Sequence, residues 1–424
     1  MLGITQGLKE RVRGMTEERY NEIDEMSIDQ LNKLSNEEYK EYRRLSYLKK
    51  TDNTTALNDL KALVSARQQG YTELWPTGFT EFDKKLGGGF MGEQLIMLGA
   101  ISSLGKTSFA LQIATQIAEQ GNDVLIFSLE MSKNELNAKT ISRYTHIIAE
   151  KEKTPSYYKL TTQDILMGNV GDIVFDQGMD AKGQLYVAAL DATTKIADHI
   201  RIFIGENNVD VDTVRDAVDL HISATGRKPF VIVDYLQILR ASDDARTTDK
   251  RLLTDNDVTC LKVLSRDFRI PVMVISAFNR TSYLDPVSMG SFRESSGIEY
   301  SSDILLGMQY DGMDYKKHWC TQSNGKRKRV FESTQDHNTR VRDLLDQMTI
   351  LGANPETPLS IELKILKDRL GVKGTLYLDF QPAYNFFREK SASTYVAPQD
   401  YAEADPDATD ASSVASSKKS LGVR

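Results

Sequence analysis

The sequence predicts an α/β protein built on a mainly parallel sheet with helices on both faces, and three observations carry that expectation. Short, β-branched apolar runs alternate with helical patterns through most of the chain. One of those runs leads through a Ser- and Gly-containing loop directly into a helix. The length of 424 residues, 40% of them hydrophobic, suffices for one large core with smaller appendages.

In chain order, residues 15–50 are charged and carry two capping-box patterns, Ser27 with Gln30 and Ser35 with Glu38, each announcing a helix start. Leu31, Leu34, Tyr39, Tyr42 and Leu45 give this stretch a modest apolar face, enough for a small helical region over 1–52. After polar residues 52–55, the segment TALNDLKALVSARQQ predicts a further amphipathic helix, placed as a linker over 53–76. From Thr77 the texture changes. The runs at 94–98, 123–128, 199–205, 230–235 and 271–277 predict buried parallel strands. Those at 302–310, 360–367 and 374–380 predict further strands that finish the sheet with a C-terminal β-hairpin, closing at residue 390 the domain that opens at Thr77. Between them lies a polar insert with the basic cluster KRKR, Lys326–Arg329, whose simplest reading is a solvated loop and whose sharper one is a contact to displaced nucleic acid or a partner. The tail 391–424, rich in Ala, Ser and Asp, has little to bury and is expected to be disordered.

Composition excludes several classes. With 53 Lys and Arg against 60 Asp and Glu, the net charge of −7 supplies no global field for nucleic acid, so any such contact must be local. Cys260 and Cys320 are far apart and form no CxxC pair, which argues against a zinc ribbon or a disulfide framework and for a reducing compartment. No apolar run reaches the roughly 18–20 residues that span a bilayer, and the start lacks a signal-peptide core, so a soluble intracellular protein is expected. Trp75 and Trp319 read as packing residues.

The chemistry concentrates around 100–108. The pattern GxxxxGK[ST] is met except at its first position, where Ala100 replaces glycine. In a strand, loop and helix context, backbone N–H groups of Ser102, Ser103, Gly105, Lys106, Thr107 and Ser108 would cradle β- and γ-phosphates. Lys106 would neutralise charge and Thr107 would hold Mg²⁺. Hydrolysis further needs a second metal anchor and a carboxylate that positions water. Asp234 ends the strand FVIVD, where ligands of open α/β sheets bind. Glu130 follows the strand after the loop helix and is the candidate general base, against the plainer reading of a helix-cap acid.

Beyond these elements, the segments 76–90, 99–114, FSLEMS (127–132), VIVDYLQIL (231–239), SAFNR (276–280), SFRESSGIEYSSD (291–303) and 367–387 resemble, in order, the motor domain of DnaB-type replicative DNA helicases. Ala100 before the loop is usual in that family. The resemblance implies a RecA-like fold and a homohexameric ring with ATP and Mg²⁺ between subunits. It also implies 5′-to-3′ movement on single-stranded DNA at a replication fork. It implies a cytoplasmic setting in a bacterial or virus-infected bacterial cell, with primase, a helicase loader and single-strand-binding protein as candidate partners. It assigns Lys367 and Arg369 as finger residues reaching a neighbour's γ-phosphate; read alone, both would be solvated strand charges. It makes RESSGIE, with Arg293, Glu294, Ser296 and Gly297, the pore-facing DNA segment, where Arg293 and backbone N–H groups would meet phosphates without reading bases. Two departures stand out. Ala277 occupies the place of the family's γ-phosphate-sensing Gln, with Asn279 the nearest polar residue, and the N-terminal portion is shorter than the family's collar and unlike it, so primase docking there is not implied. A RecA-like ring or filament that binds ATP and DNA without unwinding is the alternative, and a loader or adaptor would need a vestigial site.

Overall fold

In a computed structural model of the chain the described residues are 17–24, 26, 30, 33–51, 53–69, 73–173, 179–205, 209–234, 236, 250–279, 283–292, 296–321, 327–371 and 373–390. The expected disordered tail and the Ser27 cap lie outside them. Two compact units divide the chain, Met1–Glu73 and Leu74–Arg424.

In the first unit, α1 (Glu17–Asp24) pairs with α2 (Asn36–Thr51). The Ser35 hydroxyl accepts the Glu38 N–H, the cap that the sequence announces. Ile23 and Leu45 are buried, the Tyr20 and Tyr42 rings pack at a tilt with centroids 5.5 Å apart, and Tyr42 donates to Asp24 at 2.8 Å. Helix α3 (Asn53–Gln68) carries Leu57, Leu60, Leu63 and Val64 exposed. The linker helix therefore ends before residue 76. Leu74–Trp75 is instead a strand, β1, paired with β2 (Phe90–Met91) in the second unit, where Trp75 is buried.

The first helix of the second unit is α4 (Thr80–Leu86), where residues 77–83 and Glu389 of the last strand meet. Asp83 accepts the N–H and hydroxyl of Thr77 and the N–H of Gly78, while the Glu389 carboxylate takes the free first-turn N–H groups of Glu81 and Phe82. Strand β3 (Leu95–Ala100) leads to α5 (Lys106–Glu119), then β4 (Val124–Ser128), α6 (Lys133–Glu152), α7 (Thr162–Leu166) and α8 (Ala181–Ile196). Next come β5 (Ile200–Ile204), α9 (Val211–Thr225), β6 (Phe230–Asp234), α10 (Lys250–Phe268), β7 (Val272–Ala277), α11 (Ser296–Ser301) and β8 (Ile304–Tyr310). The chain closes with β9 (Lys317–Thr321), β10 (Arg327–Phe331), α12 (Thr334–Gly352), β11 (Leu359–Asp368), β12 (Gly374–Gln381) and β13 (Phe386–Glu389).

Among the described residues nine strands form one sheet in the order β13-β12-β11-β8-β3-β7-β6-β4-β5. From β8 to β5 every pairing is parallel; β11, β12 and β13 follow antiparallel. The expected hairpin is thus extended by a third strand. Strands β3, β4 and β6 are buried throughout, because apolar layers cover both faces. One layer gathers Phe109, Ile113 and Ile117 of α5 with Leu136 and Ile141 of α6; the other gathers Val214 and Val218 of α9 with Val258, Leu261 and Leu264 of α10. Gly99 serves this packing. A Cβ there would fall 2.3 Å from the ring of Phe278 and 2.5 Å from that of Phe292.

Of the basic cluster, Lys326 lies outside the described residues, and Arg327–Arg329 stand in a strand where a loop was expected. Residues 327–331 form β10, paired with β9 in a two-stranded sheet separate from the main one, and α12 follows.

Candidate active site

The phosphate loop forms because β3 is fixed on both sides, by β7 and β8, and delivers the chain to α5 at the carboxyl edge of the sheet. Ser103 and Gly105 both take positive φ, 64° and 85°. Gly105 is doubly required, since a Cβ there would also lie 2.7 Å from the Phe380 ring. The turn points the first N–H groups of α5 away from the helix, where no carbonyl of the helix itself can take them.

Lys106 is largely buried and donates to the carbonyls of Ala100 and Ile101 at 3.1 and 3.0 Å. Burial lowers its pKa, opposed by the charges of Asp234 and Glu130. Thr107 donates its hydroxyl to Asp234 Oδ2 at 2.7 Å, although the two are 127 residues apart. Asp234 is buried at the end of β6, and its pKa is pushed up to about 6 by burial; Glu130 adds to the rise, while Thr107, Lys106 and Lys139 oppose it. Glu130 is exposed just past β4, and its charge acts on both Lys106 and Asp234. These four residues therefore converge on one crevice, as their strand-end positions imply.

Of the cradle, Ser102 and Ser103 are exposed, and the Ser102 hydroxyl lies 3.1 Å from that of Tyr283. Ser108 is buried, and its hydroxyl donates to Asn385 Oδ1 at 2.9 Å, so only its backbone N–H remains for a phosphate. Asn385 also receives the amine of Lys139 at 2.8 Å and donates to Thr162. Sequence reasoning missed Lys139 and Asn385. A lysine within α6 looks like any solvated helix charge; only the 246-residue contact reveals that burial lowers its pKa and that it faces Asp234. The turn PAYN, with Asn385 at φ 53°, was the sole local signal.

Lys367 and Arg369 stand elsewhere. Lys367 pairs in register with Leu305, and the Arg369 N–H reaches the carbonyl of Asp303, whose own N–H reaches Leu95 at the start of β3. That is five residues before Ala100, or about 17 Å along the sheet at ~3.3 Å per residue. Both side chains cap the C-terminal end of α11. Lys367 Nζ donates to the carbonyls of Glu299 (2.5 Å) and Ser302 (2.6 Å), and Arg369 to that of Tyr300 (3.0 Å), with an ion pair to Asp303 at 3.1 Å. Asp303 is also held by Lys262 and the Leu95 N–H.

Arg293 and Glu294 lie outside the described residues, and Ser296 opens α11. The Gly297 N–H donates to Asp255 of α10 at 3.0 Å, and a Cβ at 297 would meet that carboxylate at 2.2 Å. Ala277 is the last residue of β7, level with Ala100. No group of three or more His, Cys, Asp and Glu among the described residues is placed to hold a metal ion. No helix among the described residues is long and apolar enough to cross a membrane.

Residues 75–389 match the family model described as the DnaB-like helicase C terminal domain. The replicative DNA helicase DnaB of Geobacillus stearothermophilus is 28% identical over 318 residues, covering 74% of this chain and 56% of that protein. The replicative DNA helicase DnaC of Bacillus subtilis (strain 168) is 26% identical over 350 residues, covering 79% and 63%. The chain thus spans between half and two thirds of the length of these relatives. Among solved structures, a DnaB-like replicative helicase described with its interactions with primase superposes with a TM-score of 0.58 at 20% identity, over 90% of this chain and 76% of that one, a likeness of fold.

Proposed function

The chain belongs to the DnaB-like helicase C-terminal domain family, and from that premise we propose that it is the motor of a replicative DNA helicase. In this reading a homohexameric ring, hydrolysing ATP with Mg²⁺, moves 5′ to 3′ along single-stranded DNA in a bacterial or infected bacterial cytoplasm and separates the duplex ahead. The observation that carries the reading is the geometry of two half-sites. Lys106, Thr107, Glu130 and Asp234 gather at one end of the sheet, and Lys367 and Arg369 stand back along it, level with Met97 and Leu95, about 10 and 17 Å from the level of Ala100. An arginine side chain cannot span that distance, so the fingers serve a neighbouring subunit. A ring joins each half-site to its complement.

Within the site the roles follow from charge and position. Backbone N–H groups of 102–108 and the Lys106 ammonium hold the phosphates, and Thr107 with Asp234 would hold the metal. When bound, Mg²⁺ neutralises the developing charge on the phosphate oxygens. Glu130, exposed beside them, accepts the proton of the attacking water. Lys139 and Asn385 fix the first turn of α5 through Ser108.

Coupling to DNA does not need a glutamine at 277. The fingers hold the C-terminal carbonyls of α11, and the proposed pore segment 293–297 runs into the N-terminal end of the same helix. Trading those carbonyls for a neighbour's γ-phosphate would loosen α11 and the DNA segment together. The fold likeness to a helicase described with primase makes primase a candidate partner here too, alongside a loader and single-strand-binding protein. Strand displacement from a forked duplex tests the whole reading: ATP hydrolysis and ring formation without displacement would leave only the ring that binds and does not unwind.

The pH dependence has a defined sign. Asp234, with a pKa near 6, must lose its proton to hold Mg²⁺. The Mg·ATP KM should therefore rise as pH falls through about 6, and metal binding should release a proton. For stability the sign is opposite: a carboxyl raised above its ordinary value of about 3.9 favours the folded state at low pH, and that contribution is lost as pH rises from about 4 to about 6. A KM flat between about pH 5 and 7 would remove Asp234 as the metal anchor.

A further inference from the structure

The basic insert was left without a role by the motor chemistry, yet its construction is specific. Residues 316–331, KKHWCTQSNGKRKRVF, hold six Lys and Arg and no Asp or Glu, in a chain of net charge −7. They flank and form the hairpin β9–β10, in which Arg329 stands opposite Trp319 and Phe331 opposite Lys317. An isolated two-stranded hairpin is at best marginally stable in water. This one is clamped at its base.

Glu332, directly after β10, accepts the Lys316 N–H at 2.9 Å and two hydrogen bonds from Arg340 of α12, and it lies 3.1 Å from His337 Nδ1. Arg340 holds the carboxyl at about 2, well below the usual carboxylate range, with the Lys316 and His337 contacts adding to that and burial opposing it. Arg340 also donates to the carbonyls of Gly312 and Asp314, and the buried His337 ring stacks on Tyr315 at 3.7 Å. The far side of the clamp is anchored by His337 Nε2, which donates to the carbonyl of Leu284 at 2.9 Å. Four residues thus fix both feet of a hairpin whose last turn of strand is solvent-facing: Lys317, Arg329 and Phe331 are all exposed, Phe331 by 60%, with the Lys317 ammonium 4.7 Å from its ring centroid.

We propose that the β9–β10 hairpin is a second binding surface for single-stranded nucleic acid, in which Lys317 and Arg329, on one face of the hairpin, meet backbone phosphates and Phe331 beside them stacks on a base. Charge complementarity selects a polyanion, and an exposed aromatic beside a cation adds the stacking platform that distinguishes a nucleic acid strand from an acidic peptide. The surface is separate in sequence from the 293–297 segment. It departs after Tyr310 at the end of β8 level with Ala100, so it sits at the nucleotide end of the sheet. The inference rests on the reading of the chain as a motor that works on DNA.

The test uses the full chain with a non-hydrolysable ATP analogue and a fluorescent oligothymidylate, followed by anisotropy across a salt series. Replacing Lys317 and Arg329 together by Gln should weaken binding about fivefold or more at ~0.1 M salt and lower the slope of log affinity against log salt by about 1.4, at ~0.7 per lost phosphate contact. Phe331→Ala, at an exposed position outside the clamp, should weaken binding about tenfold and leave the salt slope unchanged. Basal ATPase without DNA should be unaffected in both. Wild-type affinity and slope in both variants would overturn the proposal. So would competition by polyglutamate as effective as that by unlabelled oligothymidylate together with no effect of Phe331→Ala, the pattern of a docking site for an acidic protein. Failure of the wild type itself to bind the oligonucleotide would instead overturn the DNA-motor reading beneath it.

Discussion

Lys106→Ala is expected to lower ATP turnover by about two to three orders of magnitude, with DNA binding retained. The crevice holds two carboxylates, Asp234 and Glu130, whose charges both act on this one ammonium. Without it, a nucleotide's phosphates would face net negative charge from the side chains and rely on backbone N–H groups alone. Folding should survive, because of the amine's two partners the Ala100 carbonyl keeps the Phe278 N–H and Ile101 is partly exposed to solvent. Phosphate release under saturating ATP measures the loss. Turnover within about tenfold of wild type would mean that charge neutralisation lies with another cation, Lys139 being the nearest in role.

Arg369→Ala should cost about a thousandfold or more in rings made only of the variant, the usual worth of a cation supplied across an interface to a transferring phosphoryl group. The more informative form is a mixture. If each site takes its finger from the neighbour, doping variant subunits into wild-type rings should depress ATPase activity more than in proportion to the fraction added. A strictly proportional loss would place the residue's action within its own subunit. The fold should tolerate the change, since Asp303 keeps Lys262 and the Leu95 N–H as partners and the carbonyl of Tyr300 lies at an exposed residue. A near-unchanged melting temperature with collapsed activity separates a finger from a structural brace.

What could be seen from the sequence was what local chemistry dictates. The central strands are short apolar runs because both their faces are covered, and the loop from Ala100 to Thr107 announces itself because phosphate binding needs small residues at a helix start. Asp234 stood out as a carboxylate after four apolar residues, and the structure places it 2.7 Å from Thr107. Lys367 and Arg369 became visible only by family resemblance. Nothing local marks a charge that caps another helix some 65 to 70 residues away in sequence. The hairpin at 317–331 was misread as a loop for a related reason. Its strands do not lie on the main sheet, so they lack the one-sided apolar alternation that betrays a strand, and their order comes from Glu332 and Arg340 beyond their ends. The third C-terminal strand, FFRE, was equally hidden by its brevity, although its Phe387 is buried against Phe380 and Phe109.

In the proposed motor, hydrolysis at Lys106, Thr107, Glu130 and Asp234 drives strand separation. The measurement that meets it most directly is ATP-dependent displacement of a labelled strand from a fork, comparing duplexes with a 5′ single-stranded arm, a 3′ arm, or both. Displacement is expected wherever a 5′ arm is present for the ring to load on and a second arm is there to exclude, none from the 3′ arm alone, and none with Glu130→Ala. Hydrolysis by an assembled wild-type ring that leaves every fork intact would contradict it.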